Sequence, residues 1–474
     1  MDPSLYQSPF SWRYGSPDMR TLWSEHTKRR LWRKVWVALA EAQAEFGLVT
    51  PSQIQDLHDH QEDIDLKRAF EIEAEIQHDL MAELKTFAEQ CPIGGKILHL
   101  GATSMDIEDN AEAIRLRQGV SLLLSRLSDL LLALVDKIER YARLPIIGYT
   151  HLQPAEPLTL GYRLALYAQD LLEDHQTLTD LHHKIRGKGF KGAVGSAASY
   201  ADLLGLENLE RFESLLSQKL DLPFYPVASQ TYPRKQDFLI LSALAGVGAS
   251  IYKFAFDLRL LQNPMIGEWR EPFGRAQVGS SAMPFKRNPI RAERINSLAR
   301  LLATYPSIAW QNAAHSLLER TLDDSANRRI ILPEAFLATD ELLLTALTIV
   351  RGLEVDEVAI QRNLHNYLPF AATERVLMAL AKKGADRQAM HERLRQHALK
   401  AWQALQQGKA NPLPQYLSQD EAILRYLRVE EILDLFQNAE HYLGSSAQRA
   451  LQMADFIRNK LKPMASESGN QGDE

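Results

Sequence analysis

The stretch Ser121–Arg140, SLLLSRLSDLLLALVDKIER, decides the fold class. Leu123, Leu127, Leu130, Leu134 and Ile138 recur at intervals of three and four residues, the spacing that lines one face of an α-helix. The pattern runs from about Ala111 to Leu144 and stops at Pro145, a residue that does not continue a helix. Similar patterns span about Leu158–Ile185, Gln236–Leu261, Pro289–Asn312 and Asp323–Leu353. Five long helices in mid-chain predict an all-α protein built on an extended bundle. Alternating strand patterns are scarce.

Outward from that bundle, the 474 residues exceed what one core normally serves. Helical pieces between Leu22 and Glu89 precede a polar turn near Asp109. A second boundary is expected near Tyr367-Leu368-Pro369. The expected division is an N-terminal helical domain (1–111), a central long-helix bundle (112–364) and a C-terminal helical domain (365–474). The polar end, Pro463 to Glu474, is expected to be disordered.

Composition narrows the function. A net charge of −6 gives no electrostatic case for nucleic-acid binding, so cations for an anionic ligand must be gathered locally. The single cysteine, Cys91, has no internal disulfide partner and reads as a buried thiol in a reducing, cytoplasmic setting. Met1 to Ser11 lacks the apolar run of a secretion signal. Phe238 to Tyr252 is shorter than a membrane span and carries serines and glycines, so no membrane partner is expected. Gly246-Val247-Gly248 lies inside a helical pattern and is no nucleotide fingerprint. No compact Cys/His motif suggests a metal.

Five polar clusters stand out. Gly279-Ser280-Ser281-Ala282-Met283-Pro284-Phe285-Lys286-Arg287-Asn288-Pro289 combines a permissive glycine, hydroxyls, two cations, an amide and two prolines. It reads as a loop able to close over an anionic substrate, against the plainer reading of a basic surface turn. Thr150-His151-Leu152-Gln153-Pro154 offers an acid–base histidine, or one making structural hydrogen bonds at a helix entry. His99 to Asp106, HLGATSMD, is either a set of helix caps or an anion site of hydroxyls and backbone N–H groups. Gln77-His78-Asp79 sits in a helical pattern, where a histidine is commonly structural. Glu319 to Arg329, ERTLDDSANRR, is either a solvated charge cluster or a helix start able to hold a phosphate.

Together these motifs resemble the fumarase/aspartase superfamily, and within it the adenylosuccinate lyase family, over roughly Pro9 to Lys460. Pro284-Phe285-Lys286-Arg287-Asn288-Pro289 carries the resemblance to that branch. The resemblance implies β-elimination of fumarate from adenylosuccinate and from the succinyl-aminoimidazole-carboxamide ribotide of purine synthesis. It implies Ser280 as general base, His151 as general acid, Glu293 as the partner of His151, and Lys286 with Asn288 stabilising the developing charge. Thr103 and Ser104 would bind the succinyl carboxylates. Arg320, Ser325 and Arg329, with Arg13 and Tyr14 from Ser11-Trp12-Arg13-Tyr14-Gly15-Ser16, would bind the nucleotide phosphate. Gln77, His78 and Asp79 would lie near phosphate and ribose. Gln230, in Ser229-Gln230-Thr231-Tyr232-Pro233-Arg234, and Arg294 match substrate-contacting positions, and His99, Thr150, Ser281 and Met283 fall in the matched motifs.

By the same resemblance no cofactor is needed, and the chain forms a homotetramer whose helices pool into one larger bundle with active sites shared between subunits. Gly192-Ala193-Val194-Gly195-Ser196-Ala197 departs from the animal-like pattern, where threonines and a glutamine are expected. Two alternatives stay open: another fumarate-releasing lyase of the superfamily, such as argininosuccinate lyase, and a non-catalytic, crystallin-like protein on the same scaffold.

Overall fold

Leu123, Leu127, Leu130, Leu134 and Ile138 are each no more than 1% exposed along a single helix of 37 residues, Ser104–Arg140. The computed structural model describes residues 4–437 and 439–462; the tail expected over Pro463 to Glu474 lies outside them. The elements that matter for the site are, in chain order, α1 (Glu25–Ala44), α2 (Asp79–Gln90), α3 (Ser104–Arg140), β1 (Pro145–Thr150), β2 (Gln153–Thr159), α4 (Leu160–Lys184), α5 (Lys235–Leu261), β3 (Trp269–Arg270), α6 (Ile290–Leu302), α7 (Ser325–Arg351), β4 (Glu354–Val355) and α8 (Glu357–Lys382). Helices dominate, and the named strands form two antiparallel pairs, β1 with β2 and β3 with β4.

One expected helix is broken. The pattern over Pro289–Asn312 becomes α6 and a separate helix, Tyr305–Ala314. Pro306 supplies the reason: it stands in the first turn of the second helix, where its missing N–H costs nothing, whereas inside a continuous helix its ring would clash with the turn before it.

By packing, the described residues of Met1–Leu127, Glu173–Ala249 and Ser297–Leu344 form one compact unit, and those of Ser128–Leu172, Ser250–Asn296 and Thr345–Glu474 form another. The borders fall within α3, α4, α5, α6 and α7. The first unit has an aromatic core in which Phe190, Tyr200 and Phe212 meet edge-on or tilted, with ring centroids 5.2–6.4 Å apart. It also buries an ion-pair cluster: Arg33 Nε donates to Glu83 at 2.7 Å and Arg29 Nη1 to the same carboxylate at 3.3 Å. The second unit has an aliphatic core from Val376, Leu380, Leu394, Leu413, Leu417, Ile423 and Ile432.

Cys91 is buried and unpaired. Burial, with Asp56 nearby, pushes its thiol up to about 12, which keeps it protonated and unreactive. α3 and α5 are long and apolar enough to cross a membrane by length and composition. Each carries buried core residues over about half of its apolar window, as the core helix of a soluble protein also would.

Candidate active site

The first unit gathers the residues expected to hold a nucleotide. α2 begins at an interruption that the helical pattern did not reveal. Gln77 adopts a left-handed backbone (φ 55°) that ends the preceding helix, and His78 Nδ1 accepts from Met81 N at 3.4 Å as the cap of α2. Asp79 follows, in the first turn, and receives Arg329 Nη2 of α7 at 2.7 Å. Burial pushes the Asp79 carboxyl up, but the Arg329 guanidinium more than offsets this and holds it below its ordinary value. Asp79, Arg329 and Ser325, the first residue of α7, line one cavity of about 120 Å³ together with Lys28, Trp32 and Glu108.

Thr103 and Ser104 stand at the start of α3. Thr103 N donates to Asp106 Oδ2 at 3.1 Å, half of a reciprocal capping box. Asp106 is fully buried and does more than cap. It accepts from Lys188 Nζ, from the backbone N–H groups of Lys191 and Gly192 at 3.2 Å, and from Tyr200 Oη at 3.3 Å. The departing segment Gly192–Ala197 is therefore tied through its first residues to the helix start that carries the Thr-Ser pair. Gln230 reaches the same segment, donating from Nε2 to the Ala193 carbonyl at 3.2 Å. Close by in the chain, His99 takes a left-handed backbone (φ 66°). Its Nδ1 lies 3.0 Å from Trp36 Nε1. An indole N–H only donates, so Nδ1 must be the bare nitrogen and Nε2 carries the proton. Burial lowers the pKa of His99 despite the opposing charge of Asp106, so the ring is a neutral donor.

Arg320 donates to Asp324 Oδ1 at 2.8 Å. Asp324 is buried and is also bound by Arg234 Nε at 2.5 Å, while Arg234 Nη1 reaches Asp109 at 3.0 Å. Beside them Arg328 Nε donates to Asp237 at 2.7 Å and its Nη2 to Tyr232 Oη at 2.7 Å. The mixed Asp/Arg run is thus partly a buried network. Sequence reasoning missed Asp109, Arg234, Asp237 and Arg328. Arg13 is exposed, with its guanidinium 5.6 Å from the Trp12 ring and 5.9 Å from that of Tyr14. Tyr14 packs edge-on against Phe10 at 5.8 Å.

The second unit holds the acid–base candidates. Thr150 pairs with Gln153, so His151 and Leu152 alone make the turn between β1 and β2. Their φ values are 51° and 61°. Two consecutive left-handed residues give the mirror-image hairpin turn that matches strand twist, a turn usually made by Asn-Gly. Placing leucine there costs about 1 kcal/mol, and the turn leaves the imidazole exposed at its tip. The hairpin is bulged at Gly148, where a Cβ would lie 2.7 Å from the Glu156 carbonyl oxygen. Arg163 Nη2 braces it by donating to the Ile147 carbonyl at 2.6 Å, with Nη1 on Glu268 at 3.2 Å.

The loop Gly279 to Pro289 is irregular and largely exposed, and it folds on itself. Asn288 Nδ2 donates to the Gly279 carbonyl at 3.0 Å. A Cβ on Gly279 would lie 2.0 Å from the Lys286 carbonyl oxygen, so only glycine fits. Ser280 Oγ accepts from Met283 N at 3.0 Å and Ala282 N at 3.3 Å. Ser281, Met283 and Lys286 are exposed. After the loop, α6 is capped by buried Glu271, which accepts from Arg291 N and Ala292 N at 3.1 and 3.0 Å. Glu293, exposed in the first turn of α6, lies 3.8 Å from Arg259, and no ion pair joins it to His151 among the described residues. Arg294 follows, half-buried. Among the described residues no cluster of His, Cys, Asp and Glu has the form of a metal site.

The profile of a family described as Lyase matches residues 14–302, and that of the adenylosuccinate lyase C-terminus matches residues 369–450. The adenylosuccinate lyase of Schistosoma mansoni is 38% identical over 97% of this chain and 95% of its own length. That of Saccharomyces cerevisiae is 39% identical over 98% and 97%. Among solved structures, the 3-carboxy-cis,cis-muconate lactonizing enzyme of Pseudomonas putida superposes with a TM-score of 0.84 at 26% identity, over 96% of this chain and 100% of the other. A fumarate lyase from Mesorhizobium sp. BNC1 shares the fold, with a TM-score of 0.82 at 24% identity over 96% of this chain and 99% of its own. With the Thr-Ser helix start, the Arg320–Arg329 segment and the Gly279–Pro289 loop inside an end-to-end match, the chain belongs to the adenylosuccinate lyase family.

Proposed function

We propose that the chain cleaves adenylosuccinate to AMP and fumarate, and succinyl-aminoimidazole-carboxamide ribotide to its carboxamide and fumarate, as a step of purine nucleotide biosynthesis. Elimination removes a proton from the carbon β to the nitrogen and breaks the C–N bond, whose electron pair leaves with the nitrogen. The proton is weakly acidic because the adjacent carboxylate already carries charge, and its loss builds a doubly charged aci-carboxylate. Ser280 takes the proton, Lys286 and Asn288 stabilise the charge that develops, and His151 delivers a proton to the departing nitrogen. Thr103 and Ser104 bind the succinyl carboxylates. Arg320, Ser325, Arg329, Arg13 and Tyr14 hold the phosphate, with Asp79 orienting Arg329.

The observation that carries the assignment of the base is the pair of backbone N–H groups on Ser280 Oγ. A serine hydroxyl is too weak a base at neutral pH unless its alkoxide is stabilised, and two fixed donors already point at that oxygen. The reaction is tested by ultraviolet absorbance with adenylosuccinate, with AMP and fumarate identified by chromatography. Absence of both products from folded protein would overturn the reading, and argininosuccinate would be tried next.

Arg329→Ala is expected to raise KM roughly 10- to 100-fold, the value of a charged hydrogen bond, with a smaller change in kcat. An unchanged KM would count against the phosphate assignment.

A homotetramer with shared active sites, in the cytoplasm, completes the proposal. Leu239, Phe256 and Leu260 on α5 are 45%, 54% and 39% exposed and Leu166 on α4 is 49% exposed, large apolar groups that favour burial against further copies. Glu293 and His151 would then meet across subunits. Light scattering is expected to give about four times the chain's 53.7 kDa; a monomeric mass at full activity would reject shared sites.

A further inference from the structure

The cavity that holds Arg329 and Ser325 is lined by more carboxylates than an anion pocket should tolerate, and all but one are neutralised. From α1, Glu25 pairs with Lys28 at 2.8 Å. From α2, Asp79 pairs with Arg329 at 2.7 Å. On α3, Asp109 is held by Arg234 at 3.0 Å and Glu112 by Arg115 at 2.5 Å. From α7, Arg328 is committed to Asp237 at 2.7 Å. Glu108, on α3 and half-buried in the same lining, has no hydrogen-bond or ion-pair partner among the described residues.

An unpartnered carboxylate facing Asp79 and Asp109 would repel a phosphate, whereas the neutral acid offers an O–H donor to it. We propose that Glu108 is a specificity-determining residue of the nucleotide cavity: as a neutral carboxylic acid it donates a hydrogen bond to the ribose–phosphate end of the substrate, and as a carboxylate it expels that end. This inference rests on reading the cavity as the phosphate pocket. Burial foremost, then the charges of Asp79 and Asp109, pushes the Glu108 carboxyl up to about 8, against the smaller opposing pull of Arg329 and Lys28. The acid is therefore neutral at cellular pH and ionises just above it.

The test is AMP binding by calorimetry from pH 6.5 to 9 with the full chain and E108Q, which keeps a neutral donor. The phosphate's own second ionisation, near pH 6, is nearly complete at the start of the alkaline range. For the wild type, Kd is expected to be flat to about pH 7 and then to rise, approaching roughly tenfold per unit above the titration point; E108Q is expected to stay flat. A flat wild-type profile to pH 9, or the same alkaline rise in E108Q, would overturn the proposal.

Thermal melting without ligand reads the proton separately. Between the ordinary carboxyl range and about 8, the folded chain holds a proton that the unfolded chain has released, so stability falls as pH rises through that window. Wild type should lose melting temperature from pH 5 to 8 more steeply than E108Q, and equal slopes would also reject the neutral acid. If instead Arg329→Ala binds AMP as wild type does and inorganic phosphate fails to compete, the phosphate reading has failed, a result distinct from either melting slope.

Discussion

Ser280→Ala is expected to lower kcat for adenylosuccinate cleavage by roughly 10²- to 10⁴-fold, the usual contribution of a positioned base, while AMP still binds. Ser280 Oγ is the acceptor of two backbone N–H groups, from Ala282 and Met283, and alanine removes the basic oxygen without removing those donors. The loop is exposed, so the freed amides turn to water and the loss of folding stability stays at about 1 kcal/mol or less. Other contacts of the loop, among them Asn288 Nδ2 on the Gly279 carbonyl and Gln262 Nε2 on the Arg287 carbonyl, both at 3.0 Å, are untouched. Single-turnover assays would separate the chemical step from product release. Turnover within a few-fold of wild type would take the base role from Ser280.

Lys188→Met carries the largest expected effect on stability. Lys188 Nζ and the Asp106 carboxylate are both 0% exposed in their side chains. Desolvation lowers the pKa of Lys188, with Asp106 pulling the other way. Removing the ammonium leaves a carboxylate buried without its countercharge, at a cost of about 3–5 kcal/mol. Asp106 also holds Thr103 N and the Lys191 and Gly192 amides, so a rise in KM through the misplaced Thr-Ser pair is expected alongside. Denaturant unfolding of Lys188→Met, of Asp106→Asn and of the double variant closes a cycle. The double variant should recover part of the loss, since it buries no unpaired charge. Additive losses would show that the two residues stabilise the fold independently.

Much of the site was legible because its chemistry is concentrated in short strings. The Gly279–Pro289 loop, the Thr103-Ser104 helix start and the Arg320–Arg329 segment each carry their donors within about ten residues, and each is found where its string implies, in a loop, at a helix start and at the entry to α7. What the strings concealed is which charges are committed. Arg320, Arg328 and Arg329 look alike within one segment, yet Arg328 is bound to Asp237, Arg320 to Asp324, and Arg329 to Asp79 far back in the chain. The left-handed turn at His151-Leu152 was equally hidden, because neither residue type announces that conformation.

The sequence by itself determined that helices dominate and where most of the long ones run, since apolar recurrence at three and four residues is a local property; it did not show the break before Tyr305 or the interruption at Gln77. It also determined the donor types at the site. Only the tertiary structure decided the partners: Lys188 with Asp106, Arg234 between Asp109 and Asp324, and for the Glu108 side chain none among the described residues. The physical reason is that the cost of burying a charge, and the countercharge that offsets it, come from segments distant in the chain. That distance is also why the protonation proposed for Glu108 follows from its burial and from Asp79 on another helix more than from Asp109 beside it in the sequence.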